Sequence, residues 1–261
     1  MDLDITLQRI SKFIENEVKR SNTTGVVLGL SGGIDSTVAL YLATRSIDTN
    51  NILGLVMPDS TVTSPVDVED AKSISSILNI RHLILDINGI KQIYKKLLPE
   101  NTLSTANLVA RIRMNIIYYY ANLHNLLVIG TSDKSELKIG YFTKFGDGSA
   151  DILPLGDLYK SEVRKLANYL NVPHSIIQKK SSPALWQGQT AENEIGMEYS
   201  KIDNILKFLE NENITQETQF NYTIPTENGF NTEDLTFVLN LISKSEHKRN
   251  MPKICFLKDN L

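Results

Sequence analysis

Residues 25–36 read Gly-Val-Val-Leu-Gly-Leu-Ser-Gly-Gly-Ile-Asp-Ser, and this stretch carries more structural information than any other in the chain. A short apolar run leads into two adjacent glycines, and an apolar-periodic segment follows from Thr37 to Ala43. The pattern predicts a strand, a tight turn and the start of a helix. Because unpaired N–H groups at a helix N-terminus favour an anion, the turn is predicted to bind phosphate.

Asp35 is the unusual member of this turn, because a carboxylate beside a bound anion is unfavourable unless a cation lies between them. Phosphate together with Mg²⁺ resolves that conflict. A Gly-Gly pair with serines is also a common plain turn, but the strand–turn–helix context and Asp35 favour phosphate binding. No Gly-Lys-Ser/Thr closes a Walker loop, and the G-x-G-x-x-G spacing of dinucleotide folds is absent.

Strands and helices alternate along the chain. Strands are predicted at 26–30, 52–57, 82–87 and 126–129, and helices at 7–18, 36–45, from 65 onward, through 109–123, and at 159–170, 191–212 and 232–248. Continuous apolar strands joined by helical crossovers predict a doubly wound α/β fold, a parallel sheet flanked by helices, in one domain over residues 1–261. The polar stretches 131–151 and 179–189 lack periodicity and are predicted to be binding loops.

The composition excludes several classes of protein. A net charge of −3 argues against a broad nucleic-acid surface, and no apolar run is long enough for a membrane span. The single cysteine, Cys255, excludes an internal disulfide and a CxxC site. The acidic N-terminus has no signal-peptide pattern, so we expect a cytoplasmic protein without nucleic-acid or membrane partners.

Two loops of the predicted sheet bring acidic residues to one edge. In a doubly wound sheet, ligands bind beyond the carboxyl ends of the strands, where the strand order reverses. Asp35 follows the first strand and Glu136 the fourth, so this pair is predicted to bind one Mg²⁺. Isolated lysines are usually solvated, but some basic residues could offset phosphate charge. The candidates are Arg111, Lys144, Lys160, His247 and Lys248.

Longer motifs link the chain to a known family. The loop Ser31–Ser36, SGGIDS, resembles the pyrophosphate loop of the N-type ATP pyrophosphatases. Five later segments resemble the ammonia-dependent NAD synthetases: GTSDKSE at 130–136, GYFTKFGDG at 140–148, ADILPL at 150–155, LYKSEVR at 158–164 and LWQGQT at 185–190. The resemblance covers roughly residues 5–250, and GYFTKFGDG is its most specific part. The resemblance implies that the doubly wound fold is of the adenine nucleotide alpha hydrolase-like type.

The resemblance also implies roles for individual residues. ATP phosphates would lie on Gly29, Leu30, Ser31, Gly32, Gly33, Ile34, Asp35 and Ser36, with Thr131, Lys160 and Ser182 as further ATP contacts. Mg²⁺ would be held by Asp35 and Glu136, and ammonia would be handled at Asp147, with Lys160 as the second catalytic residue. Deamido-NAD would contact Arg111, Lys144, Asp151, His247 and Lys248. Members are homodimers that share the dinucleotide site across their interface.

One segment departs from the family pattern. The family usually reads Lys-Pro-Pro-Ser-Ala before Leu-Trp, whereas this chain has Lys-Ser-Ser-Pro-Ala at 180–184. The proline has moved past Ser182 and biases that residue towards an extended conformation. Of the ATP contacts that the resemblance implies, Ser182 is the one whose local sequence departs from the family pattern.

The resemblance implies a ligase for the last step of NAD biosynthesis. Deamido-NAD would attack the α-phosphorus of ATP, pyrophosphate would leave, and ammonia would convert the acyl-adenylate to NAD and AMP. We expect no glutaminase domain, because Cys255 has no catalytic context. The alternatives are a tRNA-modifying or GMP-forming relative and a non-catalytic nucleotide sensor. The tRNA-modifying relatives commonly use paired cysteines and basic surfaces, which this sequence lacks. A GMP-forming ligase needs a different C-terminal dimerisation segment. A sensor has no need of Asp35, Glu136 and Lys160 together.

Overall fold

A four-stranded parallel sheet forms the centre of the computed structural model, which describes residues 1–186, 188–214 and 229–255. Gln187 of the 185–190 motif lies outside the described residues. The strands lie in the order β3-β2-β1-β4, and they span β1 (Gly25–Gly29), β2 (Ile52–Val56), β3 (Arg81–Ile84) and β4 (Leu126–Ile129). The order reverses between β1 and β4, so the loops that follow these two strands leave the sheet side by side. The predicted fold class is confirmed.

The helices pack around this sheet. In chain order they are α1 (Leu3–Arg20), α2 (Ile34–Ser46), α3 (Pro65–Ile77), α4 (Asn88–Leu97), α5 (Thr102–His124), α6 (Lys134–Ile139), α7 (Lys160–Tyr169), α8 (His174–Ile177), α9 (Ala191–Ile195), α10 (Tyr199–Asn211), α11 (Thr232–Lys244) and α12 (Glu246–Arg249). Ser64 caps α3 through the N–H of Val66, with Pro65 as the first helical residue. None of the described helices is long and apolar enough to cross a membrane.

The two faces of the sheet are buried against different helices. Side chains alternate along a strand, so Val26 and Leu28 pack with α1, α2 and α7, while Val27 packs with α5 on the opposite face. A separate apolar cluster joins α9, α10 and α11 and includes Ile139 of α6 and Tyr159. The helices α9–α11 therefore pack against α6 and the start of α7, rather than against the sheet.

Several elements differ from the sequence-based prediction. Residues 131–151 are not wholly irregular, because α6 forms there; the prediction lacks α4 and α8, and the strand predicted at 82–87 ends at Ile84. The predicted helix 191–212 is two helices, because Gly196 ends α9 in a left-handed conformation with φ 85°. The predicted helix 232–248 is also divided, at Ser245 between α11 and α12. Helices of four to six residues are too short to show a helical period.

Candidate active site

The turn between β1 and α2 has the shape that its glycines predict. Gly32 has φ +74°, and a Cβ at this position would lie 2.1 Å from the backbone oxygen of Asp67 in α3. The Oγ atoms of Ser31 and Ser36 lie 3.1 Å apart, and Ser31 Oγ accepts the N–H of Gly33 at 3.3 Å. The loop is thus fixed by its own hydroxyls and by close contact with α3, beside the N-terminus of α2.

Gly32→Ala should therefore distort the loop. The methyl group can neither adopt the left-handed backbone easily nor fit against Asp67, so we expect ATP affinity to fall at least about tenfold and stability to fall by at least about 1 kcal/mol. Equilibrium ATP binding and thermal unfolding measure the two effects. Gly89→Ala is the control, since no atom lies within 4 Å of the added Cβ. Normal ATP binding by Gly32→Ala would contradict the role of this turn.

Lys160 lies at the centre of the acidic residues next to this loop. Its side chain is fully buried, and its Nζ lies 2.8 Å from Asp35 Oδ2, 2.9 Å from Asp133 Oδ2 and 2.9 Å from Glu136 Oε1. Asp133 and Glu136 also form a capping box at the start of α6, in which Asp133 Oδ1 accepts the N–H of Glu136 at 2.8 Å. The predicted pair Asp35 and Glu136 is thus brought together, with one ammonium between them.

The charges in this cluster do not balance. Burial opposes the charge on Lys160, but attraction by Asp35, Glu136 and Asp133 outweighs it and raises the lysine pKa. Burial raises the pKa of Glu136 to about 8 and that of Asp133 to about 6, and repulsion by the neighbouring carboxylates adds to it. The attraction of the single ammonium of Lys160 does not outweigh these two effects. Asp35 Oδ1 is buried without a hydrogen-bond partner. This free carboxylate oxygen and the excess negative charge suit a hard cation such as Mg²⁺.

A second layer holds Lys160 in place from the C-terminal helices. Asp203 of α10 is 1% exposed; its Oδ2 accepts the N–H of Ser161 at 2.8 Å, and its Oδ1 accepts the hydroxyl of Ser135. Ser135 Oγ in turn accepts the backbone N–H of Lys160 at 3.0 Å. The ring of Tyr199 lies 4.9 Å from the lysine Nζ. Asp203 therefore ties α6 to α7, the two helices that carry Glu136 and Lys160.

A cavity of about 490 Å³ opens in front of this cluster, at the carboxyl ends of β1 and β4. Asp147 faces it, and the Oδ1 of Asp147 accepts the N–H of Thr143 at 2.9 Å, while burial raises its pKa. Ser182 also lines it and accepts the N–H of Ala184 at 3.1 Å. Other predicted site residues in its wall are Gly29, Leu30, Ser31, Gly33, Ile34, Asp35, Ser36, Thr131, Glu136 and Lys248. Both stretches predicted to be binding loops, 131–151 and 179–189, contribute residues to the wall of this cavity.

Comparison with known proteins identifies the family of this chain. The NAD synthase family model matches residues 6–252. The chain belongs to the NAD synthase family. An NH₃-dependent NAD⁺ synthetase from Archaeoglobus fulgidus is 43% identical over all of both chains, and one from Hyperthermus butylicus is 47% identical over 97% of this chain and 90% of its own.

Solved structures also resemble this NAD synthase family member over its full length. The NH₃-dependent NAD synthetase from Campylobacter jejuni has a TM-score of 0.82 and 35% identity, covering 98% of this chain and all of its own. The NMN synthetase from Francisella tularensis has a TM-score of 0.83 and 33% identity, covering all of both chains. Relatives named for two different activities therefore share this fold.

Most of the residues expected to contact a dinucleotide lie outside the cavity wall. Arg111 donates to the backbone oxygen of Lys144 from Nε at 3.3 Å and from Nη2 at 3.2 Å, and Lys144 Nζ donates to the backbone oxygen of His247. Lys248 Nζ reaches the backbone oxygens of Gly140 and Phe142. These four basic residues form one cluster around the 140–146 segment, and of the four, Lys248 also lines the cavity.

Asp151 is placed apart from that cluster. Its Oδ2 accepts the N–H of Val128 at 2.8 Å, and its Oδ1 accepts the hydroxyl of Tyr118 at 3.2 Å. The carboxylate therefore fastens the segment after β4 to the strand itself. Asp151 thus has a structural role in addition to the substrate contact expected of it.

Sequence reasoning missed Asp133, Tyr199 and Asp203 of this site. Asp133 had a readable signal, because Asp133 followed three residues later by Glu136 matches a capping box. Tyr199 and Asp203 had none, since nothing in their local pattern indicates that α10 packs against α6 and α7.

Proposed function

We propose that this chain is a ligase that amidates deamido-NAD with ammonia at the expense of ATP, giving NAD, AMP and pyrophosphate. The observation that carries the proposal is Lys160 among three carboxylates, next to a pre-shaped phosphate loop. Membership of the NAD synthase family supports the same activity. We include a cytoplasmic location in this proposal, since both ATP and the dinucleotide are available there.

The first step that we propose is adenylation. The nicotinate carboxylate attacks the α-phosphorus of ATP. The bond between this phosphorus and the oxygen that bridges it to the β-phosphorus breaks, and pyrophosphate leaves. The loop of residues 29–36 binds the phosphates at the start of α2, and the buried ammonium of Lys160, which contacts Asp35 and Glu136, offsets part of the charge that develops there. Asp35 and Glu136 would hold Mg²⁺, which supplies further positive charge to the departing pyrophosphate. Thr131 and Ser182, both in the cavity wall, are the further ATP contacts.

The second step is attack by ammonia on the acyl-adenylate, which releases AMP. We assign the dinucleotide to the cluster of Arg111, Lys144, His247 and Lys248, and we keep Asp151 as a proposed contact. Asp147 faces the cavity, and its raised pKa suits a carboxylate that accepts a proton from the attacking nitrogen. Free ammonia is the proposed nitrogen source, without a glutaminase domain.

Asp147→Asn should slow amide formation more than adenylation. The amide cannot accept the proton, so we expect the second step to slow by about 10²–10³-fold, within the usual contribution of general base catalysis. Quenched-flow measurement of the acyl-adenylate follows both steps, and the intermediate should accumulate in this variant. If it never accumulates while turnover falls, Asp147 does not handle the ammonia.

Pyrophosphate release tests the whole proposal. It should require ATP, deamido-NAD and ammonium together for sustained turnover, and glutamine should not replace ammonium. A protein that binds ATP yet releases no pyrophosphate with either substrate would instead be a nucleotide sensor. The Francisella relative makes nicotinate mononucleotide a second candidate substrate, because its likeness is as high as that of the Campylobacter relative. Comparing kcat/KM for the mononucleotide and the dinucleotide decides between the two.

We also propose that two copies of the chain associate through α4 and α5. Both helices expose large apolar side chains, including Ile93 and Leu97 of α4 and Tyr119 and Leu123 of α5, with Leu97 75% exposed. Surfaces of this kind mark protein contacts in soluble proteins. A second copy is the proposed partner, since the family resemblance implies a homodimer.

Leu97→Asp is expected to shift the protein from dimer to monomer. A carboxylate buried in an apolar interface is unfavourable without a partner charge, so dimer affinity should fall by about 10²-fold or more. Light scattering after size-exclusion chromatography measures the mass in solution. Ile77→Asp, on the exposed side of α3, is the control and should leave the mass unchanged. A wild-type monomer at micromolar concentration would contradict the proposal.

A further inference from the structure

We propose that Arg113 is an anion-binding residue of the cavity, where its guanidinium holds a phosphate or carboxylate oxygen of a substrate. The inference deepens the proposed function and rests on it for the identity of the substrates. Arg113 lies two positions after Arg111 in the segment Ala-Arg-Ile-Arg-Met at 110–114 of α5.

The guanidinium is fixed at one end and free at the other. Arg113 Nε donates to the backbone oxygen of Met57, just beyond the end of β2, at 3.1 Å. Among the described residues it makes no other hydrogen bond and no ion pair within 4.0 Å, and it forms part of the cavity wall. The Nε contact therefore aligns the side chain, while both Nη groups keep their donors for a ligand.

Among the residues that the structure describes, no carboxylate forms an ion pair with this cation. Asp59 attracts it, but the side chain of Asp59 is already paired with Lys91 and hydrogen-bonded to Thr61. Asp147 attracts it as well, but accepts the N–H of Thr143. Burial is the main influence on Arg113 and lowers the pKa of its guanidinium. Arg113 is half-buried at the cavity wall, and an anionic ligand there would gain a charge-assisted contact with the unused Nη donors.

The neighbouring arginine shows that this arrangement is specific. Arg111 is exposed and uses Nε and Nη2 on the backbone oxygen of Lys144. Arg113 instead faces the cavity that contains Asp35, Glu136 and Asp147. The planar fork of a guanidinium matches two oxygens of one phosphate or carboxylate, and both proposed substrates carry such groups. Two sources are therefore possible for this oxygen, the triphosphate of ATP and the dinucleotide.

Binding measurements without turnover test the inference. ATP with Mg²⁺, and deamido-NAD alone, are titrated by calorimetry into the wild-type protein and Arg113→Met. Methionine keeps the apolar length of the side chain but removes the charge. We expect the Kd of at least one of the two ligands to rise about tenfold or more, as for the loss of a charge-assisted contact. Arg9→Met, an exposed arginine of α1, is the control and should bind both ligands normally.

The outcomes separate the two sources. A weaker Kd for ATP alone assigns a triphosphate oxygen to Arg113, and a weaker Kd for deamido-NAD alone assigns an oxygen of the dinucleotide. Unchanged affinities for both ligands in a folded variant would overturn the inference. If Arg113→Met does not fold, Arg113→Lys is used, which keeps the charge but loses the fork and should weaken binding at least about threefold. Since these titrations need no catalysis, they can succeed or fail independently of the amidation test.

Discussion

Lys160→Met is expected to lower kcat by at least about 10²–10³-fold, the effect of removing one group that stabilises charge in a transition state. Methionine has nearly the same length but cannot neutralise Asp35, Asp133 and Glu136, or charge that develops on the phosphates. Removing the cation from a buried ion-pair cluster should also lower stability by about 3–5 kcal/mol. Initial rates of pyrophosphate release and a thermal unfolding curve measure the two effects.

A second lysine of α7 provides the control for this variant. Lys165 is exposed, so Lys165→Met should retain both the rate and the unfolding temperature. Rates are compared at a temperature where circular dichroism shows that both variants are folded. A folded Lys160→Met protein with a near-normal rate would remove Lys160 from the mechanism.

Asp35→Asn should reduce adenylation by about 10³-fold, since a bound metal supplies several kcal/mol of charge stabilisation and each 1.4 kcal/mol is a factor of ten. The substitution keeps the shape of the side chain but removes the charge that would hold Mg²⁺. The fold should persist, because Lys160 still has Asp133 and Glu136 as partners. Pyrophosphate release measured across a series of Mg²⁺ concentrations should show that much more metal is needed.

The matched control for Asp35→Asn is Asp157→Asn. Asp157 also contacts a lysine, with 3.3 Å between its Oδ1 and Lys134 Nζ, but its side chain is 98% exposed and the ion pair contributes little. It should change neither the rate nor the metal dependence. If Asp35→Asn retains the Mg²⁺ dependence of the wild type, the metal is not held at Asp35.

Much of the fold could be predicted from local patterns. Apolar runs at β1, β2 and β4, the Ser64-Pro65 cap and the glycine turn each specify their own backbone, so their positions agree closely with the structure. The order of the strands also follows, in part, from chain-order rules for parallel sheets. Asp35 and Glu136 lie close together, as predicted, because both follow strands that end at one edge, while their binding of Mg²⁺ stays a prediction.

The parts that sequence reasoning missed depend on contacts between distant segments. Asp203 is separated from Ser135 by 68 positions, and no period or motif links the two. Arg111 and Arg113 look alike in the sequence, but only packing decides that one is exposed and the other lines the cavity. Lys160 was expected to contact ATP, whereas its pairing with three carboxylates required the positions of α2, α6 and α7 together.

The buried carboxylate of Asp203 has a consequence for how the molecule unfolds. It joins the apolar cluster of α9–α11 to the first turn of α7, whose other face packs on the sheet. Loosening the C-terminal helices would leave the Ser161 N–H and the Ser135 hydroxyl without a partner at the place where Lys160 is held. We therefore expect the two apolar clusters to be thermodynamically coupled through these polar groups, so that the site would lose its order when either cluster unfolds.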